Sequence, residues 1–297
     1  MLKVLSPAKI NCFLYVTKKR DDGYHDLFSL MTPLDFYDEI EIEVIRENEI
    51  EVSCTHPAVP EDESNIAHKA ASLFFKNLSL HKKNELNSGS FGASIKIEKK
   101  IPVGAGLGGG SSNAASVLLA LNRLHDNIFS KSQLMEQGLS LGADVPFFIY
   151  DSPAIVQGIG EKLAKCPNLI PYYVLAVYPG VVASTQKVFK NFDIKLTKKR
   201  KLDIDTRLNI WDKFDEIDAI KHMHNDLEAA AFELFPDIKD TKEEMECVLS
   251  EKVCMTGSGS SLFAFFIDYK KAEKAYSLLS DMWKGSIKEV LLTSFKL

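Results

Sequence analysis

The residues best suited to chemistry in this 297-residue chain lie between Ile101 and Ala115. The run reads Ile101-Pro102-Val103-Gly104-Ala105-Gly106-Leu107-Gly108-Gly109-Gly110-Ser111-Ser112-Asn113-Ala114-Ala115, with five glycines in seven positions. So dense a run is costly in backbone entropy, which means the backbone there is bent or exposed for a purpose. An apolar helix is predicted directly after it, with Ala114, Val117, Leu118, Leu121 and Leu124 on one face. The glycines therefore end at a helix N-terminus, where unpaired N–H groups and the helix dipole favour an anion. Ser111 and Ser112 either cap that helix or offer hydroxyls to phosphate oxygens or a metal ion. A plain strand-to-helix turn needs one glycine. Five point to a phosphate-binding loop.

Two familiar phosphate loops do not fit. Gly104-x-Gly106-x-x-Gly109 matches the dinucleotide fingerprint in letters. That motif needs a buried parallel strand before it and an acid at the end of a second strand. Here the preceding segment, Ser94 to Lys99, is amphipathic and runs into Pro102, and Asp126 follows a helix end. No Gly-Lys-Ser/Thr closes the segment, so a Walker A loop is excluded as well. The cation that phosphoryl transfer requires must come from elsewhere in the chain.

Lys9 sits between two apolar strand pieces, and Asp144 lies in Gly142-Ala143-Asp144-Val145-Pro146-Phe147-Phe148. Read alone, Lys9 fits an outward-facing strand residue and Asp144 a turn or cap residue. Phosphoryl transfer to an alcohol needs a carboxylate near the attacking hydroxyl and a cation to place it, and these two would serve. Asp22-Gly23-Tyr24-His25 is a turn signal that displays a phenol ring and an imidazole. Thr256-Gly257-Ser258-Gly259-Ser260-Ser261 is either a β-turn or a second phosphate contact. His222 and His224 are only two apart, so on a helix they would face away from each other, which disfavours a shared metal.

The elements that must position these groups are legible from periodicity. Strands are predicted at 10–17, 39–44, 50–54 and 93–98, the second alternating strictly between Glu and an apolar residue. The segment 50–54 is expected to pair with 39–44 across a polar turn. Helices are predicted at 65–80, with Ser64 or Asn65 as N-cap and Ile66, Ala70, Leu73 and Phe74 inside, then at 111–124 and 130–141. Residues 82–92 read as a loop. The second half reads strand 172–178, helix 185–192, helices 215–222, 226–235 and 237–249, strands 252–256 and 262–267, helix 270–282 and strand 288–295. This closing β-β-α-β order suggests a ferredoxin-like half. The fold class is α+β with two domains, 1–160 and 161–297, divided where Asp151-Ser152-Pro153 and the Gly158/Gly160 pair break any helix.

Composition narrows the partners. A net charge of −5 argues against a polyanion partner, and the one dense basic run, 198–201, reads as a solvated loop. Five scattered cysteines, with no C-x-x-C pair, fit reduced thiols in a cytoplasm. The first residues carry Lys3 and Lys9 within their apolar stretch, unlike a signal peptide. No apolar run approaches the roughly 18 residues of a membrane span. Neither nucleic acid nor membrane is expected as a partner.

Taken together, Ser6 to Asn11, Asp22 to His25, Ser64-Asn65-Ile66, Pro102 to Ala115, Gly142 to Phe148, Tyr178-Pro179-Gly180 with Ser184-Thr185, Asn225 to Glu228 and Thr256 to Ser261 resemble the GHMP kinases. The matches run in order through nearly the whole chain. The resemblance implies a two-domain architecture, an N-terminal mixed α/β ATP-binding domain followed by a C-terminal ferredoxin-like domain. It also implies ATP with Mg²⁺ as cofactor. The segments at Asp22 and Gly142 are similar to a branch that phosphorylates the 2-hydroxyl of a small cytidyl diphosphate substrate in the non-mevalonate route to isoprenoid precursors.

By that resemblance Asp144 is the base or orienting carboxylate, and Lys9 keeps it ionised and the hydroxyl in line. Pro102, Gly104, Gly106, Leu107, Gly108, Gly109, Gly110, Ser111 and Ser112 cradle the ATP phosphates. Asn65 and Lys99 match adenosine contacts. Tyr24 and Phe189 sandwich the cytosine, His25 bonds its edge, and Asn11, Thr185, Gly257 and Ser258 hold other polar groups. A monomer or weak homodimer is expected. The alternatives are another GHMP small-molecule kinase, or a non-catalytic regulator derived from one. The presence of both Lys9 and Asp144 favours the enzyme. No motif is recognised in 191–224.

Overall fold

Alternating apolar and charged residues build the first strands. The computed structural model describes residues 1–46, 49–81, 91–166, 168–195 and 216–297, without the side chains of 193–195 and 216–217. The expected loop at 82–92 falls outside these residues except for Phe91 and Gly92, as does the basic run at 198–201. β1 (Leu2–Lys19) and β2 (His25–Ile45) absorb the predicted strands at 10–17 and 39–44. In β2, Ile40 and Ile42 are buried while Glu39 and Glu43 face solvent.

β3 (Ile50–Cys54) does not pair with β2 as expected. β4 (Gly92–Glu98) lies between them, antiparallel to β2 and parallel to β3. Charge favours this order over most of the pairing, although β4 also sets Glu98 opposite Glu39. Direct pairing would oppose two glutamate-bearing rows, whereas β4 sets Lys96 opposite Glu41 on one side and Ser53 on the other. Opposite Glu43 and Glu51 it sets Ser94. The parallel β3–β4 pair needs a crossover, supplied by α1 (Ile66–His81).

Asn65 caps α1. Its Oδ1 accepts from Ala67 N at 2.8 Å and its Nδ2 donates to Pro60 O at 2.6 Å. Ala70 and Phe74 are buried as expected, together with Ala67, Ala71 and Leu78, while Ile66 and Leu73 are half-buried. Asn65→Ala is expected to cost about 1–2 kcal/mol, since both the cap and the bond to Pro60 go. A shift in the denaturant midpoint at constant m value measures this, and an unchanged midpoint would refute it.

α2 (Gly109–Leu124) begins two residues before its predicted start. Its N-cap is Gly108, in a left-handed conformation with φ 75°, so Ser111 and Ser112 stand inside the first turn rather than capping it. Ala114, Val117, Leu118 and Leu121 are buried, but Leu124 at the helix end is 38% exposed. α3 (Lys131–Leu141) opens with a capping box of Ser130 and Gln133, and α4 (Val145–Tyr150) starts directly after Asp144.

β5 (Ala154–Gly158) and β6 (Lys162–Lys165) form an antiparallel hairpin where only a break was expected. After β7 (Asn168–Leu169) come β8 (Tyr173–Tyr178) and α5 (Thr185–Lys195), which outruns its prediction by three residues. β9 (Glu216–Ile217) takes up the start of the helix predicted at 215–222, leaving Ala219–His222, and β10 (His224–Asn225) fills the gap before the helix predicted at 226–235, of which Glu228–Leu234 forms. Both strands are made by tertiary pairing: Glu216 and Ile217 pair in parallel with Asn168 and Leu169 of β7, and His224 and Asn225 with Phe13 and Leu14 of β1.

β11 (Cys254–Met255), β12 (Leu262–Phe266), β8 and β13 (Glu289–Ser294) form an antiparallel sheet in the order β11-β12-β8-β13. Leu175, Val177, Leu262, Ala264 and Phe266 pack on residues of the helices Glu228–Leu234, Pro236–Leu249 and Tyr269–Met282. This is the ferredoxin-like arrangement expected from the closing strand and helix order.

By contacts the chain falls into two units, which interleave in sequence. The first holds Met1–Ala8, Phe36–Val103 and Gly108–Asp151; the second holds Lys9–Asp35, Gly104–Leu107 and Ser152–Leu297. This division differs from a simple break after residue 160. Leu27 to Met31 of β2 pair with Gly158 to Ala154 of β5, which binds that part of the first half to the second. Among the described residues no helix is long and apolar enough to cross a membrane. All five cysteines are free.

Candidate active site

In the second unit the opening of the glycine run meets two other expected site segments. Lys9 N donates to Leu107 O (2.9 Å), and Ser261 N donates to Ala105 O (2.9 Å). Gly106 has φ +79°, and a methyl group built on it would lie 2.6 Å from Gly259 O and 2.9 Å from Thr256 O. Only glycine allows so close an approach of two backbones. The turn from Thr256 to Ser261 is closed by Gly259 N on Thr256 O and Thr256 N on Ser261 O, both at 3.0 Å.

Lys9 is buried, contrary to the outward-facing reading, with 4% exposure. Its Nζ donates to Asn11 Oδ1 at 2.7 Å, while Asn11 N donates to Thr256 Oγ1 at 2.9 Å. Asn11 Nδ2 reaches Ser29 Oγ at 2.8 Å. A methyl on Gly257 would lie 3.5 Å from both Lys9 Nζ and Asn11 Oδ1, and 3.6 Å from Gly106 O. Lys9, Asn11, Gly106 and Gly257 thus form one polar cluster, which puts a buried ammonium beside the backbone of the glycine run.

The aromatic candidates lie in the same unit. Arg20 N donates to Tyr24 O at 2.8 Å and Asp22 Oδ1 accepts from Tyr24 N at 3.1 Å, so Asp22 to Tyr24 form the turn between β1 and β2. Tyr24 is 59% exposed. His25 is buried, with its ring stacked on Phe189 at 5.0 Å and edge-on to Phe192 at 6.3 Å. On α5, Thr185 Oγ1 and Ser258 Oγ share a hydrogen bond of 2.8 Å. His224 sits in β10 with Nε2 at 2.7 Å from Asp226 Oδ1 and its ring stacked on Tyr15 at 4.6 Å. Among the described residues no group of three or more His, Cys, Asp or Glu is arranged to hold a metal ion.

The first unit carries the rest of the glycine run. Gly108 ends in the left-handed region so that α2 can start at Gly109, and the first N–H groups of that helix have no carbonyl four residues back. Ser112 is fully buried, and Ser6 Oγ donates to its Oγ at 2.8 Å. Its hydroxyl therefore faces the protein rather than a ligand. Ser111 is half-buried, and its hydroxyl makes no hydrogen bond among the described residues. Methyls built on Gly110 and Gly142 would lie 3.7 Å and 4.0 Å from side-chain carbons of Ile66, and the one on Gly142 would lie 3.8 Å from Ser111 Oγ. The first turn of α2, the Asn65–Ile66 start of α1 and the turn leading to Asp144 therefore lie together. Asp144 is half-buried at the N-cap position of α4, yet makes no capping hydrogen bond.

Lys99 is placed differently from an adenosine contact. Its side chain is 4% exposed, and its ammonium is paired with the fully buried carboxylate of Asp38. Pro102 and Val103 carry the chain from that pair into the glycines. Sequence reading missed Ser6, Asp38 and Asn113. For Asp38 a signal existed: it shares the apolar phase of β2 with Ile40 and Ile42, where an acid is out of place unless it has partners.

A strand-led glycine loop opening a helix, beside a carboxylate-bearing turn, is the architecture of a phosphoryl-transfer site. Family models described as "GHMP kinases N terminal domain" and "GHMP kinases C terminal" match residues 65–152 and 211–285. The chain belongs to the GHMP kinases. It is 41% identical over 281 residues to the 4-diphosphocytidyl-2-C-methyl-D-erythritol kinase of Syntrophotalea carbinolica, covering 94% of this chain and 95% of the relative. To the kinase of the same name from Pelobacter propionicus it is 39% identical, covering 98% and 99%. A crystal structure of 4-(cytidine 5'-diphospho)-2C-methyl-D-erythritol kinase superposes with a TM-score of 0.73 at 31% identity, covering 99% of each chain.

Proposed function

We propose that this chain transfers the terminal phosphoryl group of ATP to the 2-hydroxyl of 4-diphosphocytidyl-2-C-methyl-D-erythritol. The observation that carries the reading is the placement of the first turn of α2, with Ser111, against the turn that leads to Asp144. An anion site and a carboxylate side by side suit a donor phosphate and an acceptor hydroxyl.

The backbone N–H groups at the start of α2 hold the phosphates, aided by the positive end of the helix dipole. Magnesium, when bound, neutralises charge on the nucleotide phosphates, and the hydroxyl of Ser111 and the carboxylate of Asp144 are oxygen donors of the kind it takes. Asp144 orients the substrate hydroxyl and accepts its proton. The ammonium of Lys9 balances charge that develops as the oxygen attacks. Asn65 contacts the adenosine from the start of α1. His25, held by Phe189, bonds the edge of the cytosine, with Tyr24 covering the ring. Asn11, Thr185, Gly257 and Ser258 hold the remaining polar groups of the substrate. We place the protein in the cytoplasm, as a monomer or weak homodimer.

The test is ATP consumption by the purified protein with Mg²⁺ and the cytidyl substrate, beside mevalonate and homoserine. Turnover with the cytidyl substrate alone is expected. Turnover with a control instead would keep the kinase and reject the cytosine pocket. ATP binding without turnover on any of them would mark a regulator. Tyr24→Ala is expected to weaken binding of the cytidyl substrate by roughly 1–3 kcal/mol, the worth of a base–aromatic stack. Calorimetric titration of the substrate measures it, and unchanged affinity would remove Tyr24 from the pocket.

A further inference from the structure

Asp38 lies outside every motif discussed above, yet both stems of the glycine run converge on it. Its Oδ1 accepts from Lys100 N at 2.8 Å and from Ile101 N at 2.9 Å. These two residues, with Lys99, form the incoming stem, between β4 and Pro102. Its Oδ2 takes the Lys99 ammonium and accepts from Asn113 Nδ2 at 2.9 Å. Asn113 stands on α2 just past the glycines and is the outgoing stem. Asn113 Nδ2 also reaches Ser6 Oγ at 2.9 Å, and Ser6 in turn donates to Ser112. One carboxylate with 0% exposure thus receives two backbone N–H groups, an amide and an ammonium.

The ammonium it holds has a notable position. A methyl built on Gly109 would lie 2.9 Å from Lys99 Nζ, so the charge sits directly beneath the first residue of α2. A cation at a helix N-terminus opposes the helix dipole, and a buried one needs a partner. The Asp38 carboxylate supplies the partner and fixes the ammonium on the inner side of the turn. The outer side is left to an anionic ligand, drawn by the helix end and by the charge beneath it.

We propose that Asp38 is a positioning residue for the phosphate chain of the nucleotide, acting through Lys99, the Lys100–Ile101 backbone and Asn113 to hold both stems of the glycine run in register. It touches neither substrate itself. The inference rests on ATP as the phosphoryl donor. It predicts a loss confined to the nucleotide: a misplaced phosphate loop weakens ATP, while the cytidyl substrate keeps its own contacts.

The test uses full-length Asp38→Asn, which keeps the shape of the side chain but removes its charge and turns a donor toward Lys99 and Asn113. Asn113→Ala is the milder partner: it removes the amide bonds to Asp38, Ser6 and Lys99 but leaves Asp38 bonded to Lys99 and two backbone amides. KM for ATP is expected to rise about tenfold in Asp38→Asn, the size of one lost hydrogen bond to a charged group, and severalfold in Asn113→Ala. KM for the cytidyl substrate should stay within about twofold, because a uniform loss of folded protein lowers apparent kcat and leaves both KM values alone. If Asp38→Asn fails to fold, Asn113→Ala decides. Active wild-type protein with unchanged KM for ATP in the folded variants overturns this inference alone, as does an equal rise in both KM values. Wild-type protein that binds no ATP by calorimetry overturns the kinase reading, and this inference with it.

Discussion

Asp144→Asn is expected to leave a folded, nucleotide-binding protein whose turnover falls by about 10²–10⁴-fold, the usual worth of a positioned general base. Asn has nearly the same volume as Asp and keeps a carbonyl oxygen, but it takes up no proton at neutral pH. The setting separates chemistry from folding. Asp144 is half-buried at the N-cap position of α4, outside the apolar face of that helix. The buried residues after it, Val145 to Ile149, hold α4 by apolar contact. Stability should therefore change little while kcat collapses. Single-turnover measurement of the phosphoryl-transfer step, with ATP affinity determined separately, checks both halves. Near-normal turnover in the Asn variant would take the base role from Asp144.

Gly106→Ala is expected to be the most damaging small substitution in the second unit, costing on the order of 2–5 kcal/mol in stability and most of the ATP affinity. Two independent costs add. An L-residue at φ +79° sits in the left-handed region, a cost of about 1–2 kcal/mol. The new methyl also meets Gly259 O at 2.6 Å and Thr256 O at 2.9 Å. Both are backbone atoms, so no side chain can swing away, and overpacking of this kind costs roughly 1–3 kcal/mol. Relief requires the run 104–107 and the turn 256–261 to part, which would loosen the bond from Ser261 N to Ala105 O. Denaturation midpoints and KM for ATP report the two effects. A variant with wild-type values of both would show that the approach of the two loops is not needed.

Much of this was legible because the signals are local. The glycine run announces a phosphate loop by its entropy cost alone, and the apolar stripe behind it announces α2. The Glu-apolar alternation of β2 is read directly, and so is the turn at Asp22-Gly23. Other features misled for equally physical reasons. The helix predicted at 215–222 loses its first residues because Glu216 and Ile217 pair with Asn168 and Leu169 of β7. Ser111 and Ser112 are good caps by residue type, but Gly108, in a left-handed conformation, takes the cap position and α2 starts at Gly109. The hairpin of β5 and β6 is hard to see in the sequence because its glycines separate two short strands.

By itself the sequence determined the kind of chemistry, the helix that bears it and the strands that flank it, since each depends on neighbours a few positions away. Only the tertiary structure decided which strand stands between β2 and β3, that Lys9 is buried against Asn11, and that Lys99 pairs with Asp38. Those outcomes depend on partners far apart in the chain. Asn11 and Thr256 are 245 residues apart, as Lys99 and Asp38 are 61 apart, and no local period encodes such pairs. They are selected by the cost of burying a charge or a peptide group without a partner, which is settled only when the whole core closes.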